Sequence, residues 1–348
     1  MSMDLTDFTY ELPNTLIAQR PCPVRDASRM MVLHRQEQRI EHRQFFELPD
    51  YLEKGDVLIV NDSRVIPARL YALKETGGTV EVLLLKKLQE AGPDTQTWEA
   101  LLKPARRAAA GQVLSLPEGG RAVIRERVSD KKWAVEFSTG TDFAVYLRRN
   151  GEAPLPPYIK RRPGDASHFP DRDRYQTVYA RADGSVAAPT AGLHFTPRTF
   201  DALRSRGVSV AAVTLHVGYG TFLPVTASRI EEHVMEEEFF EIGAEAAEAI
   251  NAARRVVAVG TTATRVLEAA ADERGRIHPT AGTTRLFIYP GYRFKRVNRL
   301  LTNFHLPASS LLLLVSAFSG RECILDAYRQ AVEASYRFYS YGDCMLIL

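Results

Sequence analysis

Polar and small residues follow four apolar segments of the chain, at the points where those segments end. In open α/β sheets, ligands bind in the crevice outside the carboxyl ends of the strands. Histidine, carboxylate, amide and hydroxyl groups gathered there could bind a polar ligand and move protons. The sequence therefore predicts a pocket built from four segments: NDSR at 61–64, HVGYGTF at 216–222, GTTATR at 260–265 and TNFHLPASS at 302–310.

Three loops precede helical patterns. Gly260 opens a turn before one of them, and the free N–H groups of that helix could hold a carboxylate. Ser309 or Ser310 is suited to cap the apolar helical segment that follows. In the loop at 188–197, small residues beside His194 and Phe195 suit close approach of a flat ring. Stacking with one polar group is a common way to hold a purine.

Continuous apolar segments predict the strands that would position these loops. They lie at 57–60, 208–215, 256–259 and 287–289, and their lack of alternation is typical of strands buried on both faces. Helical patterns lie near them at 196–206, 244–254, 264–274 and 324–336. Together these elements predict an α/β domain of three layers.

Between residues 69 and 156 the pattern changes to short strands with period-two character. They lie at 79–86, 98–102, 112–116, 121–126 and 133–137, separated by Gly and Asp turns, which predicts a small antiparallel β-barrel. The stiff segment APLPPY at 153–158 is suited to be a return linker. We therefore predict a discontinuous main domain, 1–68 and 157–348, with an inserted β-barrel domain at 69–156.

Composition excludes several classes of protein. The 45% hydrophobic and 25% charged residues are typical of globular proteins and argue against disorder. The longest apolar run, at 311–315, is too short to span a bilayer, and no apolar secretion segment lies near residue 1. Cys22, Cys323 and Cys344 favour reduced thiols in a cytoplasmic protein over a disulfide framework or a zinc site.

The distribution of charge is more informative than its sum. A net charge of +3 does not indicate a nucleic-acid-binding protein, but from 274 to 321 every charged side chain is basic. Such a stretch can attract phosphates locally, although it can also be a solvated basic face.

The motifs PTAGLHFT, VTLHVGYGTF and LTNFHLPASSLL resemble those of the S-adenosylmethionine:tRNA ribosyltransferase-isomerases of the bacterial queuosine pathway. The resemblance extends over essentially the whole chain, from FTYELP at 8–13 to RFYSYGD at 337–343. It implies an α/β domain with an inserted β-barrel, in agreement with the elements predicted above.

The resemblance also implies a reaction. Such an enzyme moves and rearranges the ribosyl part of S-adenosylmethionine onto 7-aminomethyl-7-deazaguanine at the wobble position of tRNA. Adenine and methionine leave, and the tRNA then carries epoxyqueuosine. The sulfonium acidifies the 5′ carbon, so a base is needed there, and the departing adenine needs a proton donor.

On that basis we assign roles to residues of the predicted pocket. His216 and His194 are the expected acid/base pair, with the order of their roles open. Asp62 and Asp343 could hold ribose hydroxyls, and Arg64 and Arg265 could bind the methionine carboxylate. The other expected contacts with S-adenosylmethionine are Thr190, Gly192, Gly218, Gly220, Thr221, Phe222, Gly260, Thr261, Thr262, Thr302, Asn303, His305 and Ser309.

For the tRNA we expect phosphate contacts from the basic stretch, with the inserted barrel and its turn at 103–107 as the alternative. The four residues expected to make them are Arg293, Lys295, Arg296 and Arg299. No paired cysteines or His-x-x-x-His spacing is present, so we expect no metal and no cofactor, S-adenosylmethionine being a consumed substrate. We also expect a cytoplasmic monomer that does not bind membranes.

Two other functions remain as alternatives. An S-adenosylmethionine-dependent RNA methyltransferase would need a Gly-rich turn after the first strand, where this sequence has NDSR. A non-catalytic RNA-binding module could use the barrel, but it would not need His and Asp residues at strand ends.

Overall fold

A computed structural model describes residues 3–106, 108–161, 170–222, 225 and 229–348 of the chain. Its strands are β1 (Arg29–His34), β2 (Arg39–Gln44), β3 (Asp56–Asn61), β4 (Ser63–Val65), β5 (Arg69–Lys74), β6 (Thr79–Gly92), β7 (Thr95–Lys103), β8 (Val113–Ser115), β9 (Arg121–Arg127), β10 (Lys132–Ser138), β11 (Ala182–Ser185), β12 (Ser209–Leu215), β13 (Glu238–Ile242), β14 (Arg255–Val259), β15 (Thr280–Thr284), β16 (Arg299–Asn303) and β17 (Cys344–Ile347).

The helices are mostly short. The α-helices are α1 (Phe143–Asn150), α2 (Asp171–Arg174), α3 (Pro197–Ser205), α4 (Ala244–Ala252), α5 (Gly260–Ala270), α6 (Ser310–Ser319) and α7 (Arg321–Glu333). Single 3₁₀ turns lie at Leu5–Phe8, Asn14–Leu16, Arg25–Ala27, Phe45–Tyr51, Pro117–Gly119, Thr190–His194, Tyr219–Phe222 and Ile230–Glu232.

A nine-stranded mixed sheet forms the centre of the main domain, in the order β15-β13-β12-β3-β14-β16-β17-β1-β2. Strands β12, β3, β14 and β16 run parallel, so their carboxyl ends meet at one edge. Strands β17 and β13 are antiparallel to their neighbours in this group, and β1 is parallel to β17. We call the edge where the carboxyl ends of β12, β3, β14 and β16 meet the carboxyl edge. The amino ends of β1, β13 and β17 reach this same edge.

Burial on both faces of the sheet explains the apolar strands. Val57 and Ile59 of β3 face a core that includes side chains of α4, α5, α6 and α7. Leu58 and Val60 face the opposite core, which includes α3 and the turn Phe45–Tyr51. The predicted class, a three-layer α/β domain with an inserted antiparallel β-barrel, is confirmed.

Strands β5 to β10 form a closed antiparallel barrel in the order β10-β7-β6-β5-β8-β9. The five predicted barrel strands are present, and β5 is a sixth that period-two alternation did not predict. Helix α1 packs Phe143, Tyr146 and Leu147 against the barrel core. The domain limits 1–68, 69–156 and 157–348 stay a prediction. Residue 107 of the predicted basic turn lies outside the described residues.

One predicted strand is wrong. Residues 287–289 form no strand, because the chain pairs β15 with β13 instead and then crosses to β16. Helix α5 also begins earlier than predicted, at Gly260, which has a φ of +85° that glycine adopts without strain.

Candidate active site

A cavity opens at the carboxyl edge, with about 680 Å³ of empty space including its mouth. Nine of the predicted contact residues line it: Thr190, Thr221, Gly260, Thr261, Thr262, Thr302, Asn303, His305 and Ser309. The ends of β14 and β16 and the loop before α3 therefore come together as the sequence predicted.

The first turn of α5 forms one wall. Gly260, Thr261 and Thr262 line the cavity, and the first N–H groups of a helix have no partner within it. The hydroxyl of Thr262 is buried and has no hydrogen-bond partner among the described residues. This wall can therefore offer several donors to an anionic ligand group.

The segment after β16 forms the facing wall. Asn303 donates through Nδ2 to the carbonyl of Tyr339 at 2.9 Å, while its Oδ1 lacks a partner among the described residues. The ring of His305 shares a hydrogen bond of 2.8 Å with the Thr302 hydroxyl, and burial lowers its pKa to about 3. Ser309 caps α6 by accepting from the backbone N–H of Leu312, as expected of a helix N-cap.

His194 lies behind this wall and is almost completely buried. Its Nδ1 shares a hydrogen bond of 2.7 Å with the Ser28 hydroxyl, and Nε2 makes no regular hydrogen bond with a described residue. Burial lowers the pKa of His194 to about 4, although the Asn303 amide acts in the opposite direction. The predicted partner for a flat ring, Phe195, instead packs in the core against Phe45.

His216 lies in a different cleft, between the barrel and the sheet. Its ring stacks on Phe239 with 5.6 Å between centroids, and Nδ1 is buried without a partner among the described residues. Burial lowers the pKa of His216, opposed by the nearby carboxylates of Asp62 and Asp183. We call this cleft the interdomain cleft, and it shares Val217 with the cavity as a wall residue. His194 lines neither space, so the two predicted histidines do not face one space.

The predicted carboxylates are both engaged by protein groups. Asp62 accepts from the Thr214 hydroxyl at 2.6 Å and forms an ion pair with Arg181. Asp343 accepts from the backbone N–H groups of Arg29 and Arg337 at 3.1 and 2.8 Å. Neither residue lines the cavity, so the structure does not support a role for them in holding ribose.

The predicted carboxylate-binding arginines are also placed elsewhere. Arg265 is buried in an ion pair with Glu238 and donates to the carbonyl of Leu286. Arg64 is half exposed beside Asp183, in a third cleft. Closeness to a strand end in sequence did not place either arginine in the cavity, because a side chain there can point to either side of the sheet edge.

The glycines contribute through close packing. A Cβ at Gly192 would lie 2.0 Å from the Tyr179 hydroxyl, so no larger residue fits there. The N–H groups of Gly218 and Gly220 donate to Glu238 and Glu236, which fixes the turn after His216. The side chain of Phe222 lies outside the described part of the chain.

The basic stretch predicted to bind tRNA lies at the opposite edge of the sheet, before the amino end of β16. Arg299 donates to the carbonyl of Tyr51, and Arg296 donates to that of Ile250. Lys295 forms an ion pair with Glu273, and Arg293 is exposed. The direction of β16 separates these residues from its carboxyl end, so they do not lie beside the pocket, and their contact with tRNA stays a prediction.

Sequence reasoning did not find the aromatic part of the cavity. Tyr158 and Tyr339 line it with 4.8 Å between ring centroids, and the Tyr158 hydroxyl shares a hydrogen bond with Ser340. Tyr339 has a φ of +71°, a conformation that is costly for a bulky residue and occurs mostly at functional sites. The segment RFYSYGD was visible as a motif, but the predicted contact in it was Asp343 and not Tyr339.

Neither a metal-binding cluster nor a membrane-spanning helix is found among the described residues. Within the described ranges, no group of three His, Cys, Asp or Glu side chains is arranged to hold a metal ion. In the same part of the chain, no helix combines the length and the apolar character that crossing a membrane requires.

Comparison with known proteins identifies the family. A family model described as "Queuosine biosynthesis protein" matches residues 5–347. A protein of Syntrophus aciditrophicus named S-adenosylmethionine:tRNA ribosyltransferase-isomerase is 54% identical, and the alignment covers 99% of this chain and all of that protein. A protein of the same name from Moorella thermoacetica is 53% identical, again over 99% of this chain and all of the relative.

A solved structure is also similar. The crystal structure of S-adenosylmethionine tRNA ribosyltransferase from Thermotoga maritima is 39% identical to this chain and covers 98% of it and all of its own, with a TM-score of 0.54. The match of both sequence and structure over almost the full length shows that this chain belongs to the queuosine biosynthesis protein family.

Proposed function

We propose that the chain transfers and isomerises the ribosyl group of S-adenosylmethionine onto 7-aminomethyl-7-deazaguanine at the wobble position of tRNA. Adenine and methionine are released, and epoxyqueuosine remains in the tRNA. The observation that carries this proposal is the cavity at the carboxyl edge, with unpartnered polar atoms of Thr262 and Asn303, in a chain of this family.

The residues that line the cavity can hold the different parts of S-adenosylmethionine. The first turn of α5 is suited to the methionine carboxylate, because the first N–H groups of a helix are free to bind an anion. Tyr158 and Tyr339 are suited to the adenine, since aromatic rings bind purines by stacking. Asn303, Thr302 and Ser309 also line the cavity and can bond ribose hydroxyls.

The two proposed histidines would act differently. His216 lies across Val217 from the cavity and has a ring nitrogen without a partner, so it can exchange a proton with the reacting groups. His194 is enclosed, and a pKa of about 4 keeps it neutral near pH 7. It would act through Asn303, with which it interacts, by fixing the orientation of that amide.

The remaining expectations follow from the same chemistry. Every atom transferred to the tRNA comes from S-adenosylmethionine, so no second group donor is needed, and we expect no cofactor and no metal. That the enzyme acts as a monomer stays a prediction. A tRNA substrate supports the cytoplasm as the compartment.

Product analysis tests the function. Purified protein, S-adenosylmethionine and tRNA carrying 7-aminomethyl-7-deazaguanine should give adenine and methionine in equal amounts, measured by chromatography. The same tRNA with unmodified guanine is the control and should give neither. Formation of S-adenosylhomocysteine would identify a methyltransferase instead, and no turnover with tight tRNA binding would identify a binding module.

A further inference from the structure

A second polar surface of this chain lies between α1 of the inserted segment and the loop that precedes β11. Five arginines and two aspartates, Asp173 and Asp183, are the charged residues that line it. We call this surface the arginine cleft, after the arginines that line it: Arg25, Arg64, Arg148, Arg172 and Arg181.

Several of these guanidinium groups are available to a ligand. Arg148 is exposed in the last turn of α1, and no hydrogen bond or ion pair joins its guanidinium to another described residue. Arg172 is also exposed, and its guanidinium donates to the backbone carbonyl of Arg148. Arg181 is paired with Asp62, yet 82% of its side chain remains exposed.

Arg25 is held in place at the wall of this cleft. Burial and the neighbouring Arg174 lower its pKa, while Asp173 acts in the opposite direction. Arg25 is fixed by donating to the carbonyls of Leu193 and Asp173. An anion entering this cleft would therefore meet arginines held in place, and arginine binds phosphate oxygens through two parallel hydrogen bonds.

The arginine cleft is continuous with the proposed site on two sides. It shares Ile66, Leu147 and Asp183 with the interdomain cleft that contains His216. Through Arg25 it also adjoins a small pocket lined by His194 and Ser340, and Ser340 lines the cavity as well. A nucleic-acid backbone in the arginine cleft would therefore have its neighbouring nucleotides beside the reacting groups.

We propose that the arginine cleft holds backbone phosphates of the tRNA substrate and thereby directs the wobble nucleotide toward the interdomain cleft. This inference rests on the proposed function for the identity of the RNA. The interdomain cleft is lined by the carboxylates of Glu99, Glu236, Glu237, Glu238 and Asp183 and by the basic side chains of Lys86, Lys87, Lys132 and Arg285, so acidic and basic groups nearly balance there. The arginine cleft has five basic side chains against two acidic ones and therefore supplies the stronger phosphate-binding charge.

Salt dependence of tRNA binding tests the inference. Arg148→Ala and Arg172→Ala, singly and together, would be compared with the unchanged protein in tRNA affinity over a salt series. Each lost phosphate contact should reduce the slope of log affinity against log salt by roughly one unit. At low salt each single substitution should weaken tRNA binding by about fivefold, as expected for the loss of an exposed ionic contact.

Matched variants provide the controls. Arg329→Ala removes an exposed arginine of α7 that is paired with Asp326 and should leave the slope unchanged. The weakening by Arg148→Ala should be equal for tRNA with and without 7-aminomethyl-7-deazaguanine, because phosphate contacts do not distinguish bases. Affinity for S-adenosylmethionine should not change.

The outcomes separate this inference from the proposed function. Unchanged salt slopes in the double variant, with adenine release intact in the unchanged protein, would overturn the inference alone. A lower slope for Arg293→Ala instead would place the phosphates at the amino end of β16. Reduced slopes in the cleft variants support the inference even if the unchanged protein releases no adenine, and in that case only the proposed reaction is wrong.

Discussion

At the scale of single residues, three histidines near the carboxyl edge differ in what their rings can do. His305 and His194 are enclosed, and burial lowers their pKa values to about 3 and 4. Both are therefore neutral near pH 7 and make fixed hydrogen bonds to Thr302 and Ser28. His216 is half-buried in an open cleft, so it is the histidine best placed to exchange protons with substrate.

Substitution of His216 tests this role. His216→Ala should reduce turnover by about 10²–10⁴-fold, the usual contribution of a general acid or base, while the circular dichroism spectrum stays unchanged. The exposed His278→Ala is the control and should retain full turnover. Near-normal turnover of His216→Ala would show that the ring is structural.

The dependence of kcat/KM on pH tests which protonation state of His216 is active. Burial lowers the pKa of His216 below the ordinary value, so its ring remains neutral to a pH lower than that of a free histidine. If the neutral ring is the base, kcat/KM should fall on acidification with a midpoint below about 6.5. This acidic limb should be missing from the residual activity of His216→Ala.

The sequence predicted correctly that the segments at the ends of β14 and β16 line one cavity. Thr262, Asn303 and His305 line the cavity because the carboxyl ends of β14 and β16 are adjacent. Tyr158 and Tyr339 could not be predicted in the same way, because they lie in loops whose approach to the cavity depends on the tertiary fold. The partners of Asp62 and Arg265, which are Thr214 and Glu238, could not be predicted either, because they are distant in sequence.

At the scale of elements, one buried ion pair connects three parts of the site. Glu238 at the amino end of β13 is paired with Arg265 of α5, and both side chains are only 5% exposed. Glu238 also accepts from the N–H of Gly218 at 3.0 Å. The pair therefore links the helix that faces the cavity to the turn that follows His216.

Breaking this pair should be costly. Glu238→Gln and Arg265→Met should each lower the free energy of unfolding by about 3–5 kcal/mol, because each leaves a buried polar or charged group without its partner. The double variant should lose clearly less than the sum, since neither charge remains. Urea unfolding would measure the free energy of unfolding of all three variants. If each single variant lost less than about 1 kcal/mol, or if the two losses added up in the double variant, the pair would not hold the elements together.

The prediction of elements succeeded where burial dictates the pattern. Strands β3, β12 and β14 are buried on both faces and read as continuous apolar segments. The segment at 287–289 is also apolar but forms irregular chain, with Ile288 in the core and Phe287 and Tyr289 partly buried against it. Apolar composition indicates burial, and strand pairing depends on a neighbour that composition does not specify.

At the scale of the whole molecule, the two edges of the main sheet carry different surfaces. The carboxyl edge has the cavity, and the interdomain and arginine clefts are continuous with it. The opposite edge carries Arg299 and the basic stretch before it, with Arg299 and Arg296 bonded to backbone carbonyls. Charge along the sequence could not distinguish these edges, because the direction of β16 is a property of the assembled sheet.

The overall architecture was predictable from the change in pattern along the chain. Period-two alternation between residues 69 and 156 gave the barrel, and the apolar segments on either side gave the three-layer domain. The clefts between barrel and sheet were not predictable, since their walls combine residues such as Trp98 and His216 that are far apart in sequence.

The most direct test of the account is hydrogen–deuterium exchange with S-adenosylmethionine in the absence of tRNA. Binding in the cavity should slow amide exchange in the first turn of α5, residues 260–264, and in the segment 302–310, while residues 293–299 remain unchanged. Protection restricted to the interdomain cleft, around residues 216–220 and 236–239, with no change at 260–264, would contradict the placement of S-adenosylmethionine at the carboxyl edge.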